Sequence, residues 1–192
     1  MPAQTIRTFI ALELENNTKD FITNIQNKLK ESDSLKAKWI ESNNLHLTLK
    51  FLGDTHKETL DQIKDRLNNS LKKNKPFKCN LSEIGTFPNE RFIKVLWIGI
   101  DQGKDKLKNL SNIINDELYK LGFKKEEKEF KTHITICRPK QILDQDNLQK
   151  TFQEINKSFK PLEFTASRIT LFESQLSPQG PTYFSLFSYN LV

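Results

Sequence analysis

Two of the three histidines in this 192-residue chain sit in one repeated pattern, His46-Leu47-Thr48-Leu49 and His133-Ile134-Thr135-Ile136. Side chains of a β-strand alternate between faces, so each copy puts a histidine and a threonine on one face and two large aliphatic residues on the other. The aliphatic face requires a core, and the His-x-Thr face is left for a site. Strict alternation then sets Lys50 beside His46 and Thr48, and groups Phe51 with Leu45, Leu47 and Leu49. In the second copy it sets Cys137 on the site face and turns Arg138 away, so that a bulge or the strand's end must re-aim Arg138 if it is to reach the site.

The rest of the chain reads as elements arranged around these strands. Residues 5–14 alternate and form a first strand. Asn16, Asn17 and Thr18 offer caps to a helix with Phe21, Ile22, Ile25 and Leu29 as its buried stripe. Thr55-His56-Lys57-Glu58 has the form of a capping box opening a second helix, with His56 an exposed first-turn residue. Strands follow at 77–84 and 92–100, joined by a turn-rich segment over 85–91. A helix over 105–121 stops at Gly122. After the charged connection 124–129, the second motif strand ends at Arg138-Pro139, because proline cannot continue a ladder. A helix over 144–159 and strands at 162–173 and 183–191, around a loop at 177–182, complete the chain. Each half thus runs strand, helix, His-x-Thr strand, helix, strand, with 92–100 as the hinge and 183–191 as its late counterpart.

The net charge of +6, carried mostly by lysine, suits an anionic partner. Cys79 and Cys137 have no ligand spacing and signal neither a disulfide framework nor a metal site. No apolar run approaches the roughly 18 residues of a membrane span. A reduced, cytoplasmic protein that does not enter the membrane is expected.

Two half-sites facing each other across a cleft suit in-line substitution at phosphorus, where attacking and leaving oxygens lie on opposite sides and need a base and an acid. Histidine serves either role near neutral pH, which predicts a bell-shaped pH dependence centred near neutrality. The threonine hydroxyls are placed to donate to non-bridging phosphate oxygens. Among the aromatics, Phe9, Phe51 and Phe130 read as core, and Phe87, in the turn segment, as a surface for stacking a base. The 177–182 loop is expected beside the nucleotide.

The chain resembles the two-histidine phosphoesterases and, within them, the bacterial and archaeal RNA 2′,3′-cyclic phosphodiesterases, first named 2′-5′ RNA ligases. The likeness runs through Arg7-Thr8-Phe9-Ile10-Ala11-Leu12, through Trp39-Ile40 and the Leu45 to Gly53 run, and through Gly85-Thr86-Phe87-Pro88 with Val95-Leu96-Trp97. It continues in His133 to Arg138, and in Leu171-Phe172-Glu173-Ser174 through Gly180-Pro181-Thr182-Tyr183. It implies a bilobal α+β fold in which two antiparallel sheets line a cleft, with helices outside and residues 1–192 forming one catalytic domain. It further implies His46 as proton donor, His133 as proton acceptor, Thr48 and Thr135 as phosphate ligands, Arg138 as an added phosphate contact, and no cofactor or metal. The implied partner is an RNA end bearing a cyclic phosphate, opened to a 2′-phosphomonoester by a monomer, with reversible ATP-independent 2′-5′ ligation at the same centre. Spacing alone does not assign acid and base. A phosphodiesterase for a small cyclic nucleotide or an ADP-ribose cyclic phosphate would use the same residues, and a non-catalytic RNA-binding module would use only the lysines.

Overall fold

A computed structural model of the chain describes residues 4–126, 129–178 and 180–192, so Glu127, Lys128 and Gln179 of the expected connections lie outside the described residues. The elements run β1 (Thr5–Glu13), α1 (Asn16–Glu31), β2 (Leu35–Trp39), β3 (His46–His56), α2 (Leu60–Leu71), β4 (Phe77–Pro88) and β5 (Ile93–Ile100). They continue with α3 (Lys104–Tyr119), β6 (His133–Ile142), α4 (Gln145–Ser158), β7 (Glu163–Ala166), β8 (Arg168–Leu176) and β9 (Pro181–Asn190). The strands make two antiparallel sheets, β3-β1-β8-β9 and β2-β6-β5-β4-β7. Helices α2 and α3 pack on the four-stranded sheet, α1 and α4 on the five-stranded one. The fold is the bilobal α+β arrangement that the resemblance implies.

The lobes are not the two halves of the chain. β1 belongs to one lobe, α1 and β2 to the other, β3 and α2 to the first again, and this exchange continues to the C-terminus. Matching the sheets in register shows where the repeat lies. Leu12 of β1 pairs with Leu47, the residue after the first motif histidine, and Ile98 of β5 pairs with Ile134, the residue after the second. β5 therefore stands beside its motif strand as β1 stands beside the other. In strand order β3-β1-β8-β9 thus parallels β6-β5-β4-β7, and β2 is an addition at the outer edge.

Both motif strands carry an extra residue at the same place. Ile10 faces Lys50 while Ala11 faces Thr48, so Leu49 is inserted; Leu96 faces Cys137 while Trp97 faces Thr135, so Ile136 is inserted. Such a bulge reverses the phase of the residues that follow it, until in β3 a second shift at Leu52 reverses it again. Leu49 and Lys50 are both buried, as are Ile136 and Cys137. The expected placement of Lys50 and Cys137 on the site face is thus reversed, and Phe51 and Arg138 take those positions. Phe51, read as core, is 61% exposed.

Buried side chains on the covering helices satisfy the bulges. Ser111 of α3 donates to the Leu49 carbonyl at 2.9 Å, and Lys50 Nζ donates to Asn115 Oδ1 at 2.6 Å and to the Lys124 carbonyl at 2.9 Å. On the other lobe Gln26 of α1 donates from Nε2 to the Ile136 and Ile40 carbonyls, each at 2.8 Å. A buried lysine ammonium without these acceptors would carry a heavy desolvation cost.

Other departures from the sequence reading have local causes. β2 went unrecognised because its five residues, Leu-Lys-Ala-Lys-Trp, are short and lysine-rich. Thr55 is no helix cap: β3 runs on to His56, and Thr55 Oγ1 is buried against Thr8 Oγ1 at 2.7 Å. β4 continues through Phe87, placing it on a strand and leaving only residues 89–92 between β4 and β5. β6 runs past Pro139 because β5 pairs with it only as far as Cys137, so the missing proline N–H breaks no ladder there. The expected strand over 162–173 is two strands in different sheets, split at Ser167.

Replacing Gln26 with methionine keeps the volume and leaves buried carbonyl oxygens short of a donor. It is expected to lower stability by about 1–3 kcal/mol in a urea titration; an unchanged midpoint would mean the bulge needs no such support.

Candidate active site

The cleft between the sheets has a volume of about 440 Å³ and is lined by His46, Thr48, His133, Thr135 and Arg138, with Phe9, Phe51, Phe87 and Tyr183 among its walls. All five polar residues singled out in the sequence thus border one space, and so does Phe87. His56 is exposed at the end of β3, apart from it.

Each histidine is oriented by the same short-range device. His46 Nδ1 lies 2.7 Å from the carbonyl of Asn44, and His133 Nδ1 lies 2.7 Å from the carbonyl of Lys131. A carbonyl can only accept, so Nδ1 carries the proton in both rings and Nε2 is left to exchange one. His46 Nε2 sits 3.0 Å from Thr48 Oγ1, within the motif itself. Asn44 is in turn anchored across the cleft floor, its Nδ2 donating to the Pro181 carbonyl at 3.1 Å. The orienting carbonyls belong to the residue two positions before each histidine, a backbone role that no residue type signals.

The walls differ. His46 packs on Phe9, with ring centroids 4.9 Å apart, and meets the edge of Tyr183 at 5.3 Å. His133 meets Phe87 edge-on at 5.0 Å, and Phe87 itself leans on Trp97. Phe87 is half-buried and lines the cleft beside His133. The exposed ring beside the motifs is Phe51, which the bulge turns toward the cleft.

Burial lowers the proton affinity of both rings. For His46 it pushes the pKa from 6.5 to about 4 against the pull of the Asn44 carbonyl, with the charges of His133 and Lys19 adding to the depression. For His133 burial again lowers it, opposed by the Lys131 carbonyl and aided by the charges of Arg138 and Lys131. Burial likewise pushes the Cys137 thiol up to about 12, which suits a packing residue and not a nucleophile.

Arg7, Lys38 and Arg138 line the cleft, and no aspartate or glutamate does so among the described residues. Such a surface attracts an anion.

Over residues 12–97 and again over 98–183, the chain matches the LigT-like phosphoesterase family. The chain belongs to that family. The two matches begin at Leu12 and Ile98, the pair of residues that stand at equivalent register beside the two motif strands. A relative in Methanothermobacter thermautotrophicus, named RNA 2′,3′-cyclic phosphodiesterase, is 31% identical over 97% of this chain and 99% of its own. One of the same name in Methanocaldococcus jannaschii is 39% identical over 93% of this chain and 96% of its own. Among solved structures of similar fold, TT0787 of Thermus thermophilus has a TM-score of 0.80 at 24% identity, covering 97% of this chain and 98% of its own. Escherichia coli LigT complexed with 3′-AMP has a TM-score of 0.77 at 21% identity, covering 98% and 99%.

The depressed proton affinities make a direct prediction for this LigT-like phosphoesterase. In the empty protein the His46 ring, followed by proton NMR, titrates near pH 4. Saturation with inorganic phosphate raises its proton affinity roughly tenfold or more, because the anion stabilises the imidazolium. A midpoint that ignores phosphate would place the anion away from His46.

Proposed function

We propose that the protein hydrolyses the 2′,3′-cyclic phosphate at an RNA terminus to a 2′-phosphomonoester by acid-base catalysis between two histidines, without a metal. The observation that carries this reading is the pair of Nδ1-anchored rings that border one cleft, lined by no carboxylate among the described residues, with His46 Nε2 against the motif threonine Thr48. The family membership and the names of the curated relatives supply the substrate class.

In this mechanism the cyclic phosphate sits between the motifs, with Thr48 and Thr135 donating hydroxyl protons to its non-bridging oxygens and Arg138 adding charge. His133 Nε2 takes a proton from water as the water oxygen bonds to phosphorus. On the opposite side the P–O3′ bond breaks, and the proton on His46 Nε2 passes to O3′. The product carries a 2′-phosphate and a free 3′-hydroxyl. With a 5′-hydroxyl in place of water the same steps give a 2′-5′ linkage without ATP. The donor and acceptor labels follow the family resemblance. Residues 1–192 act as one catalytic unit to which each lobe contributes a half-site.

Burial alters the pH dependence expected from unperturbed histidines. The acid must be protonated, so activity falls as pH rises through its pKa; the base must be neutral, so activity falls as pH drops through its own. Both pKa values are lowered in the empty cleft, which moves the bell for kcat/KM to the acid side of neutrality. The bell for kcat lies at higher pH, because bound phosphate favours the protonated rings. Both limbs belong to the coupled pair. A single rising limb ending in a plateau would point instead to a metal-bound hydroxide.

The test is a short RNA ending in a cyclic phosphate, incubated with the protein and EDTA, its product identified by phosphorus NMR. His46→Ala and His133→Ala should each reduce turnover by on the order of 10² to 10⁴, and Thr48→Val or Thr135→Val by roughly 10- to 100-fold. Full activity in either histidine variant removes that ring from the mechanism. RNA bound but never opened by the wild type would favour a non-catalytic binding module.

A further inference from the structure

The cleft holds more positive charge than the reaction requires. A cyclic phosphodiester brings one negative charge, which Arg138, lying just beyond the second motif, is placed to meet. Arg7 and Lys38 are surplus to that charge, and neither is within 4 Å of a carboxylate among the described residues.

The placement of Lys38 is unfavourable unless an anion lies near it, whereas Arg7 faces Asp54 across β1 and β3 without an ion pair. Lys38 of β2 is the direct cross-strand partner of Arg138 of β6. Like charges facing each other across antiparallel strands destabilise a sheet. From there Lys38 reaches over the cleft toward the turn between β8 and β9: a methyl group built on Gly180 would lie 3.0 Å from Lys38 Nζ. Arg7 approaches from the opposite wall. It lies two residues before Phe9 on β1, so roughly 7 Å along the strand from the ring that supports His46. Arg7 and Arg138 both bear on the Tyr183 phenol, their charges opposing the upward push of burial on its pKa. The three cations thus share one cleft with the motifs, with Ser174 and the Tyr183 phenol beside them as neutral donors.

We propose that Arg7 and Lys38 form a second anion subsite, which takes the phosphate on the 5′ side of the terminal nucleotide. This rests on the cyclic-phosphate reading above and narrows its substrate class. The preferred end is one whose last nucleoside bears a 5′-phosphate or an internucleotide linkage, over a bare nucleoside 2′,3′-cyclic phosphate. Arg138 stands between the two sites and serves the reacting phosphate.

The experiment compares kcat/KM for three substrates: adenosine 2′,3′-cyclic phosphate, the same molecule with a 5′-phosphate, and a dinucleotide ending in it. The wild type should favour the second and third over the first by roughly 10- to 100-fold, as charge-assisted contacts to one phosphate provide. In the double variant Arg7→Ala, Lys38→Ala that ratio should collapse toward one, and Arg7→Lys with Lys38→Arg should restore part of it. Preference for the dinucleotide but not the 5′-phosphomonoester would assign the subsite to the internucleotide linkage, the reverse to a terminal phosphate. Equal turnover of all three by the wild type overturns the subsite and leaves the cyclic-phosphate reading standing. So does an equal loss on all three in the double variant, which would give the two cations a structural or purely catalytic role. Failure of the wild type to open any of them overturns the cyclic-phosphate reading and the subsite with it.

Discussion

The inserted residue in each motif strand is the constraint on which the site depends. Without it, alternation would send Lys50 and Cys137 into the cleft and bury Arg138 and Phe51 in the core. With it, each motif presents histidine, threonine and one further side chain toward the cleft, and the following strand keeps its aliphatic face inward. The distortion is held by helices from the same lobe: Ser111 and Asn115 on α3 for one bulge, Gln26 on α1 for the other. These are polar residues on the buried faces of otherwise amphipathic helices, and the bulges explain why they are there. The sequence, the strand distortion and the aim of Arg138 are therefore one linked arrangement.

On this repeated frame the two half-sites have diverged. The position after the bulge is an aromatic ring in one, Phe51, and a guanidinium in the other, Arg138. His46 is enclosed by Phe9 and Tyr183 and more strongly depressed; His133 has Phe87 at its edge and cationic neighbours. A symmetric fold thus yields two imidazoles of unequal proton affinity, set by their different walls. The ring that the family resemblance names as donor is the one least able to hold a proton in the empty cleft. In the proposed mechanism an anion bound between the motifs offsets that deficit, which couples proton loading to substrate binding.

The sequence made the motif pair and the helices legible because both rest on local periodicity. The stripes of α1, α3 and α4 lie close to where their spacing puts them, and the capping aspartate of α4, Asp144, accepts from Asn147 N–H at 2.9 Å. What it left hidden depends on pairing between distant segments. The bulges exist only relative to β1 and β5, so strict alternation puts Lys50, Phe51 and Cys137 on the wrong faces and reaches the true aim of Arg138 only by allowing for a bulge. The switch at Ser167 carries the chain from one sheet to the other within what looks like a single extended run. Lys38 looked like one lysine among many until β2 paired it with Arg138. The orienting carbonyls of Asn44 and Lys131 leave no trace in residue type at all.

The central claim is that His46 and His133 act as acid and base in one step at a single phosphorus, and a double-mutant cycle tests it most directly. Single-turnover rates of cyclic phosphate opening would be measured with saturating enzyme and chelator for the wild type, His46→Ala, His133→Ala and the double variant. If both rings serve one step, the double variant is hardly slower than the worse of the two single variants, since losing either already disables the concerted transfer. If the two losses multiply, the histidines work independently, and a mechanism that depends on their cooperation across the cleft is contradicted.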